Sequence, residues 1–194
     1  AGNLPVLDDL GKIMILKKVL GQKKDELKYF GRNINKDGYI SEIKSFMSEL
    51  IQYGADEDEI ERMIKASEKK PVLKYKLQDM SVAFKSFKEY IEKNYITSEE
   101  LLSVFADVVS QSELLKGAVI CLDGFTGFTP LQYRLLRELI KTAEMVYVTV
   151  TADDRESVIN KGKNYQLFFM SRKTVHNIRQ IASETGVEVL DDIW

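Results

Sequence analysis

The stretch GAVICLDGFTGFTP, from Gly117 to Pro130, decides the fold class. Its first six residues form an apolar run that ends at an aspartate, which is typical of a strand buried on both faces of a parallel sheet. Thr129, Pro130 and Gln132 then match a helix start, with a capping residue, a proline in the first turn and a capping-box partner. The stretch therefore predicts a strand followed directly by a helix.

The residues after this helix alternate in the same way. A second strand is expected from Met145 to Thr151, and two strands joined by a helix should pair in parallel. A third short strand is expected at Tyr165–Phe169. Ser171 should cap a further helix that stops at Gly186, and Val187–Leu190 should form another strand.

The first half of the chain has a helical period instead. Leu7, Leu10 and Met14 predict the apolar face of a first helix. Further on, an apolar stripe ends at a glycine, and two Asp/Thr-x-x-Glu patterns mark helix starts. These elements are Ile40, Ile43, Phe46, Met47, Leu50 and Ile51 with Gly54, and the pairs Asp56–Glu59 and Thr97–Glu100. The predicted fold class is therefore α/β, with an all-helical region at 1–112 followed by part of a parallel α/β sheet domain at 113–194.

Composition narrows the class of protein. The net charge of −2 gives no general attraction to nucleic acid or to anionic membranes, so any DNA contact must be a local patch. Cys121 is the only cysteine, and we expect it to be a small buried hydrophobe in a protein of the reducing cytoplasm. Apolar runs such as MVYVTV are far shorter than the roughly 20 residues of a membrane span.

The stretch NINKDGYISEIK, from Asn33 to Lys44, has the rhythm of a calcium-binding loop. Such a loop needs a bidentate glutamate at its last position, and this chain has Lys44 there. We therefore expect a turn in which Asp37 caps the next helix.

Carboxylates follow both strands of the predicted βαβ unit. Ligands of open parallel sheets bind at the carboxyl ends of the strands, and Asp123 and Asp153 fall there. Nucleoside triphosphatases place a Mg²⁺-associated carboxylate directly after a buried strand. The alternative is that Asp123 only stabilises the turn DGFTG, where Asp and Gly are favoured.

These segments resemble the second and third motifs of UvrD-type helicases. Asp123 matches the Mg²⁺ aspartate, Gly124 falls at the catalytic glutamate, and Asp153 and Glu156 match degenerate third-motif positions. The segments LDGFTGFTP, LKYFGR and IQYG resemble more specifically the B subunits of the AddAB (RexAB) ATP-dependent helicase–nucleases, of which this chain would be an internal fragment.

The resemblance implies a role in processing DNA double-strand ends for recombinational repair. It implies that the first half is a helical insertion in a RecA-like domain to which the second half belongs. It also implies two partners, DNA and an A subunit, and it implies ATP, Mg²⁺ and an iron–sulfur cluster as cofactors of the parent. Because this sequence has no Gly-x-x-x-x-Gly-Lys-Ser/Thr loop and one cysteine, we expect no cofactor in the fragment and no catalysis by it alone.

Four residues are candidate nucleic-acid contacts. Phe125 and Phe128 have rings that can stack on bases, and Arg172 and Lys173 lie in the one locally basic region of the second half. The alternatives are packing beneath the loop for the phenylalanines and a solvated helix face for the cations. Two other functions stay open: a stand-alone helical interaction module, or an active ATPase whose phosphate loop lies outside this sequence.

Overall fold

The computed structural model describes residues 4–34, 36–92, 94–153 and 162–193, without the side chain of Asp37. The chain splits into two compact units, Ala1–Leu101 and Leu102–Trp194. The division falls inside a helix, Ser98–Val108, which continues as a 3-10 turn at Val109–Gln111. The predicted domain boundary after residue 112 lies just beyond that turn and stays a prediction.

The first unit consists of helices and a small parallel sheet. Its elements in chain order are β1 (Val6–Leu7), α1 (Asp9–Gln22), a 3-10 turn (Lys24–Glu26), α2 (Asp37–Gln52), α3 (Glu57–Ala66), α4 (Pro71–Ile91), β2 (Ile96–Thr97) and the start of α5 (Ser98–Val108). The two strands pair in parallel, Val6 with Ile96 and Leu7 with Thr97. The prediction of an all-helical first region is wrong at this pair of strands.

Side-chain caps begin several of these helices, as the sequence predicts. Asp56 accepts a hydrogen bond from the Glu59 amide at 2.9 Å. Glu100 accepts one from the Thr97 amide at 2.9 Å, and the Thr97 hydroxyl accepts one from the Glu100 amide at 3.2 Å. Each such bond satisfies a donor that the first helical turn leaves without an intrahelical partner.

The predicted apolar face of the first helix is wrong. Leu7 lies in β1, and Leu10 and Met14 are 64% and 65% exposed. The other side of α1 packs in the core of the unit instead. Its core residues are Ile15, Leu16, Val19 and Leu20. That face was missed because it also carries a lysine, Lys12, which is buried.

The calcium-like stretch forms a helix start. α2 begins at Asp37, so this residue is the first of the helix and Lys36 precedes it as the N-cap. The prediction that Asp37 is the N-cap of this helix is therefore wrong. Asn35 and the side chain of Asp37 lie outside the described residues. Lys44 forms an ion pair with Asp9 at 2.9 Å.

The second unit contains the predicted βαβ element. Its elements after α5 are β3 (Val119–Leu122), α6 (Pro130–Thr142), β4 (Met145–Val148) and α7 (Phe169–Thr185). β3 and β4 pair in parallel, from Val119 with Met145 to Leu122 with Val148, which confirms the predicted pairing.

One face of this sheet is exposed in the described structure, so the prediction that β3 is buried on both faces is wrong. Val119 is 60% and Tyr147 44% exposed, and Cys121 is exposed rather than buried. Leu122 and Val146 on the other face pack against α6 and α7 through Leu136, Ile140 and Ile181. The described helices therefore cover a single face, which a periodicity argument does not anticipate.

Three further predictions in this unit are wrong. The predicted strand at Tyr165–Phe169 is instead a turn that ends at Phe168, followed by the first residue of α7. Ser171 lies inside that helix, whose N-cap is Phe168. Val187–Leu190 is not a strand, although its apolar residues suggested one. Gly186 does end α7, in the left-handed conformation at φ 70°, as predicted.

Candidate functional site

The predicted site lies in the loop that follows β3, at the carboxyl edge of the sheet. The Thr149 hydroxyl, just after β4, donates a hydrogen bond to the Asp123 carboxylate and accepts one from the Gly124 amide at 3.3 Å. The Thr149 amide also donates to the Leu122 carbonyl at 2.9 Å. These hydrogen bonds hold the ends of β3 and β4 together. Asp123 takes part in them although it is exposed.

Gly124 occupies a backbone conformation that favours glycine. Its φ is +75°, in the left-handed region, and a Cβ at this position would meet open space. The constraint is therefore backbone geometry rather than lack of room. This gives a physical reason for a glycine directly after Asp123.

The loop's aromatic side chains stack on one another. The Phe125 and Phe128 ring centroids lie 4.9 Å apart with the planes 20° apart, and Phe128 meets Tyr133 edge to face at 5.4 Å. Phe128 packs against the core of the unit, whereas Phe125 is 36% exposed. Phe125 is thus the more accessible of the two predicted base-stacking rings.

The loop is also fixed to two helices. The Thr129 amide donates to Gln132 Oε1 at 2.8 Å and the Gln132 amide donates to Thr129 Oγ1 at 3.3 Å, which completes the predicted capping box of α6. The buried Thr174 of α7 donates its hydroxyl to the Thr126 carbonyl at 3.1 Å. The loop is therefore held by α6 and α7 as well as by β4.

Replacing Thr129 with alanine is expected to lower the free energy of unfolding by about 1 kcal/mol, because it removes the cap and one side of the capping box. Urea titration followed by far-ultraviolet circular dichroism measures the change. Thr126→Ala is the matched control, since Thr126 is exposed and contributes its backbone carbonyl to the loop. Equal effects of the two variants would show that the cap does not stabilise α6.

The third-motif residues are only partly visible. Asp153 is half-buried at the end of a described range. Glu156 lies outside the described residues. Whether these two carboxylates share an edge with Asp123 stays a prediction.

The two basic candidates differ in exposure. Arg172 is 5% exposed and donates a hydrogen bond to Gln166, beneath the turn that begins at Gly162. It is not on the solvated helix face that the sequence suggested. Lys173 is half-buried, and a nucleic-acid contact at either residue stays a prediction.

Two polar groups of the loop that could face a nucleotide with its Mg²⁺ are bonded within the protein. The Asp123 carboxylate and the Gly124 amide both bond to Thr149, and a phosphate-cradling loop is missing from the sequence. The single Cys121 does not fit a four-cysteine cluster. Within the ranges that the structure describes, no three His, Cys, Asp or Glu residues are grouped to hold a metal ion.

A buried carboxylate in the first unit was not predicted from the sequence. Asp79 of α4 is 2% exposed, and its carboxylate accepts hydrogen bonds at 2.8 Å from the amides of Lys28, Tyr29 and Phe30. It thereby fixes the LKYFGR segment to α4. The available signal was an aspartate between two core residues of a helical stripe, Leu77 and Met80.

A parallel pair of strands joined by a helix gives the second unit an α/β fold, with Asp123 in the loop that follows its first strand. The comparison with known families is more specific. The chain belongs to the family described as ADDB, N-terminal, whose model matches residues 2–194.

Individual relatives agree with this family. The B subunit of an ATP-dependent helicase/deoxyribonuclease from Lachnoclostridium phytofermentans is 43% identical over 185 residues, covering 95% of this chain and 16% of the relative. The protein of the same name from Bacillus subtilis is 30% identical over 190 residues, again 95% of this chain and 16% of the relative. The family resemblance predicted from the sequence is confirmed, and the chain spans about one sixth of the length of these curated relatives.

The helices were also compared with membrane spans. None of those in the described parts of the chain is long and apolar enough to cross a bilayer.

Proposed function

We propose that this chain is a non-catalytic, helicase-like scaffold segment of the B subunit of an ATP-dependent helicase–deoxyribonuclease that processes DNA ends for repair. The observation that carries the proposal is the identity of 43% over nearly the whole chain to a relative of that name. The first unit would be a helical insertion, and the second would be part of a RecA-like domain. DNA and an A subunit would be its partners in the cytoplasm.

The hydrogen bonds and backbone of the loop that follows β3 support the proposal that this segment is not catalytic. Asp123 is bonded within the loop, and a glycine held at positive φ stands where a catalytic glutamate belongs. ATP, Mg²⁺ and the iron–sulfur cluster would therefore be bound by other parts of the complex. An active ATPase whose phosphate loop lies elsewhere in the complete protein is the competing function.

The complete protein that contains this chain, purified with its A subunit, is expected to degrade linear duplex DNA only when ATP is present. Asp123→Ala is expected to leave this activity within about twofold, because the carboxylate stabilises a turn rather than a transition state. Release of acid-soluble nucleotides from labelled DNA measures it. An A subunit that cannot hydrolyse ATP is the control.

The outcomes separate the three functions. Loss of at least about a hundredfold in activity with Asp123→Ala would favour the active ATPase, since removal of a charge-stabilising group costs on that order. No ATP-dependent degradation by the complete protein with its A subunit would contradict the assignment to a helicase–deoxyribonuclease and favour a stand-alone interaction module.

A further inference from the structure

The first unit carries a cluster of exposed and half-buried tyrosine and lysine residues on the LKYFGR segment and α4. Lys76 Nζ lies 4.8 Å from the centroid of the Tyr29 ring, and Lys28 Nζ lies 5.8 Å from that of Tyr75. Tyr29 is 39% and Tyr75 45% exposed. These four residues, here called the tyrosine–lysine surface, place two aromatic rings and two ammonium groups side by side.

The tyrosine–lysine surface is pre-organised by buried contacts. The Lys28 and Tyr29 amides both donate to the Asp79 carboxylate at 2.8 Å, one turn of helix from Tyr75. Lys28 Nζ also donates to Gln78 Oε1 at 3.0 Å. The backbones that carry the two rings are therefore locked together, so a ligand would pay little conformational entropy to order them.

One side of this surface, at the start of α4, is basic although the chain as a whole is not. Residues 69–76, KKPVLKYK, contain four lysines and no acidic residue, in a chain of net charge −2. Glu68 compensates Lys74, with 3.2 Å between the charged atoms, and Lys69 and Lys70 are exposed. The amino-terminal end of α4 adds its positive partial charge. This patch therefore complements an anion.

We propose that the tyrosine–lysine surface binds single-stranded DNA, with the lysines contacting phosphates and the Tyr29 and Tyr75 rings stacking on bases. Aromatic rings beside cations are the features by which proteins bind single strands without sequence preference, because unpaired bases expose their faces and duplex bases do not. The choice of DNA rests on the proposed function, and the geometry of the surface supplies the location.

Alanine variants test the stacking. Fluorescence anisotropy of a labelled oligodeoxythymidine, titrated with the 194-residue chain, measures affinity. Tyr29→Ala and Tyr75→Ala are each expected to weaken binding by between about 5-fold and about 150-fold, the range for loss of one base–aromatic stack. Tyr29→Phe and Tyr75→Phe keep the ring and are expected to bind within about twofold of the unsubstituted chain. Tyr53→Ala, which removes a 64% exposed tyrosine elsewhere in the unit, is the matched control.

Salt dependence tests the phosphate contacts. Lys28→Gln and Lys76→Gln are each expected to reduce the slope of log affinity against log salt by about 0.7, the value for one phosphate contact on a single strand. Lys85→Gln, at an exposed position of the same helix, should leave the slope unchanged. This measurement also keeps the proposal testable if an alanine variant fails to fold, which circular dichroism would show.

Two results would overturn the proposal. One is an unsubstituted chain that does not bind oligodeoxythymidine at low salt. The other is unchanged affinity in both alanine variants and unchanged slope in both glutamine variants, which would mean that the tyrosines and lysines only pack on one another. Neither result would change the outcome expected in the ATP-dependent degradation assay of the complete protein. Failure of the DNA-binding proposal is therefore distinguishable from failure of the proposed function.

Discussion

Replacing Asp79 with alanine is expected to lower the free energy of unfolding by about 3 to 5 kcal/mol. The carboxylate is 2% exposed and is the acceptor for three backbone amides, those of Lys28, Tyr29 and Phe30. Without it, the buried Phe30 amide and the part-buried Lys28 and Tyr29 amides lose their partner. The cost of leaving a buried donor without a partner is about 1–3 kcal/mol, and it is smaller where water can reach the amide. Hydrogen bonds to a charged acceptor are also the stronger kind.

Urea titration followed by circular dichroism measures this change. Glu89→Ala is the matched control because it removes an exposed carboxylate from the same helix, and it should cost less than about 0.5 kcal/mol. The loss of stability caused by Asp79→Asn should lie between the losses caused by Asp79→Ala and Glu89→Ala. The asparagine keeps one acceptor oxygen, but its NH₂ group faces backbone amides that are themselves donors. An Asp79→Ala loss no larger than the Glu89→Ala loss would contradict the anchoring role.

Close approach of the backbone explains a glycine in the LKYFGR segment. A Cβ on Gly31 would lie 2.7 Å from the Leu27 carbonyl oxygen and 2.9 Å from that of Lys24, and backbone atoms do not yield as side chains do. The segment is thus folded tightly against its own backbone while Asp79 binds its amides. Such a segment tolerates few substitutions.

The elements that the sequence predicted correctly are those whose patterns involve neighbouring residues. The capping box at Thr129, the stop at Gly186 and the parallel βαβ unit each depend on neighbouring residues, and the structure contains all three. One of the failures involves partners distant in sequence. β1 and β2 pair although they lie near opposite ends of the first unit's sequence. No property of two residues such as Val6 and Leu7 predicts that pairing.

The functional residues divide in the same way. Asp123 was found because it follows an apolar run, but its bond to Thr149 depends on the register of β3 with β4. Arg172 was assigned to a surface by its charge alone, whereas the fold buries it beside Gln166. The tyrosine–lysine surface joins residues far apart in sequence, so only the fold reveals it.

Replacing Lys12 with methionine is expected to lower the free energy of unfolding by about 3 kcal/mol at neutral pH, because it leaves a buried carboxylate unpaired. Lys12 Nζ donates to both carboxylate oxygens of Glu99 at 3.0 and 2.8 Å, and the two residues are 5% and 8% exposed. This pair connects α1 to the first turn of α5. In the double variant Lys12→Met/Glu99→Leu most of the stability should return, since apolar pairs of similar volume often replace buried ion pairs at little cost.

The effect of pH distinguishes the ion pair from simple packing. Burial acts to raise the pKa of Glu99, but the hydrogen bonds and charge of Lys12, with a backbone hydrogen bond and Ser48, lower the pKa below its ordinary value. The ionised form is thus favoured by folding, so its contribution is present above the ordinary glutamate pKa and is lost as the pH falls through the folded value. The cost of Lys12→Met should therefore shrink in acid, when Glu99 becomes protonated in the folded chain. Urea titrations at neutral pH and at successively lower pH measure the difference between the two chains, and a cost that stays constant with pH would contradict the ion-pair account.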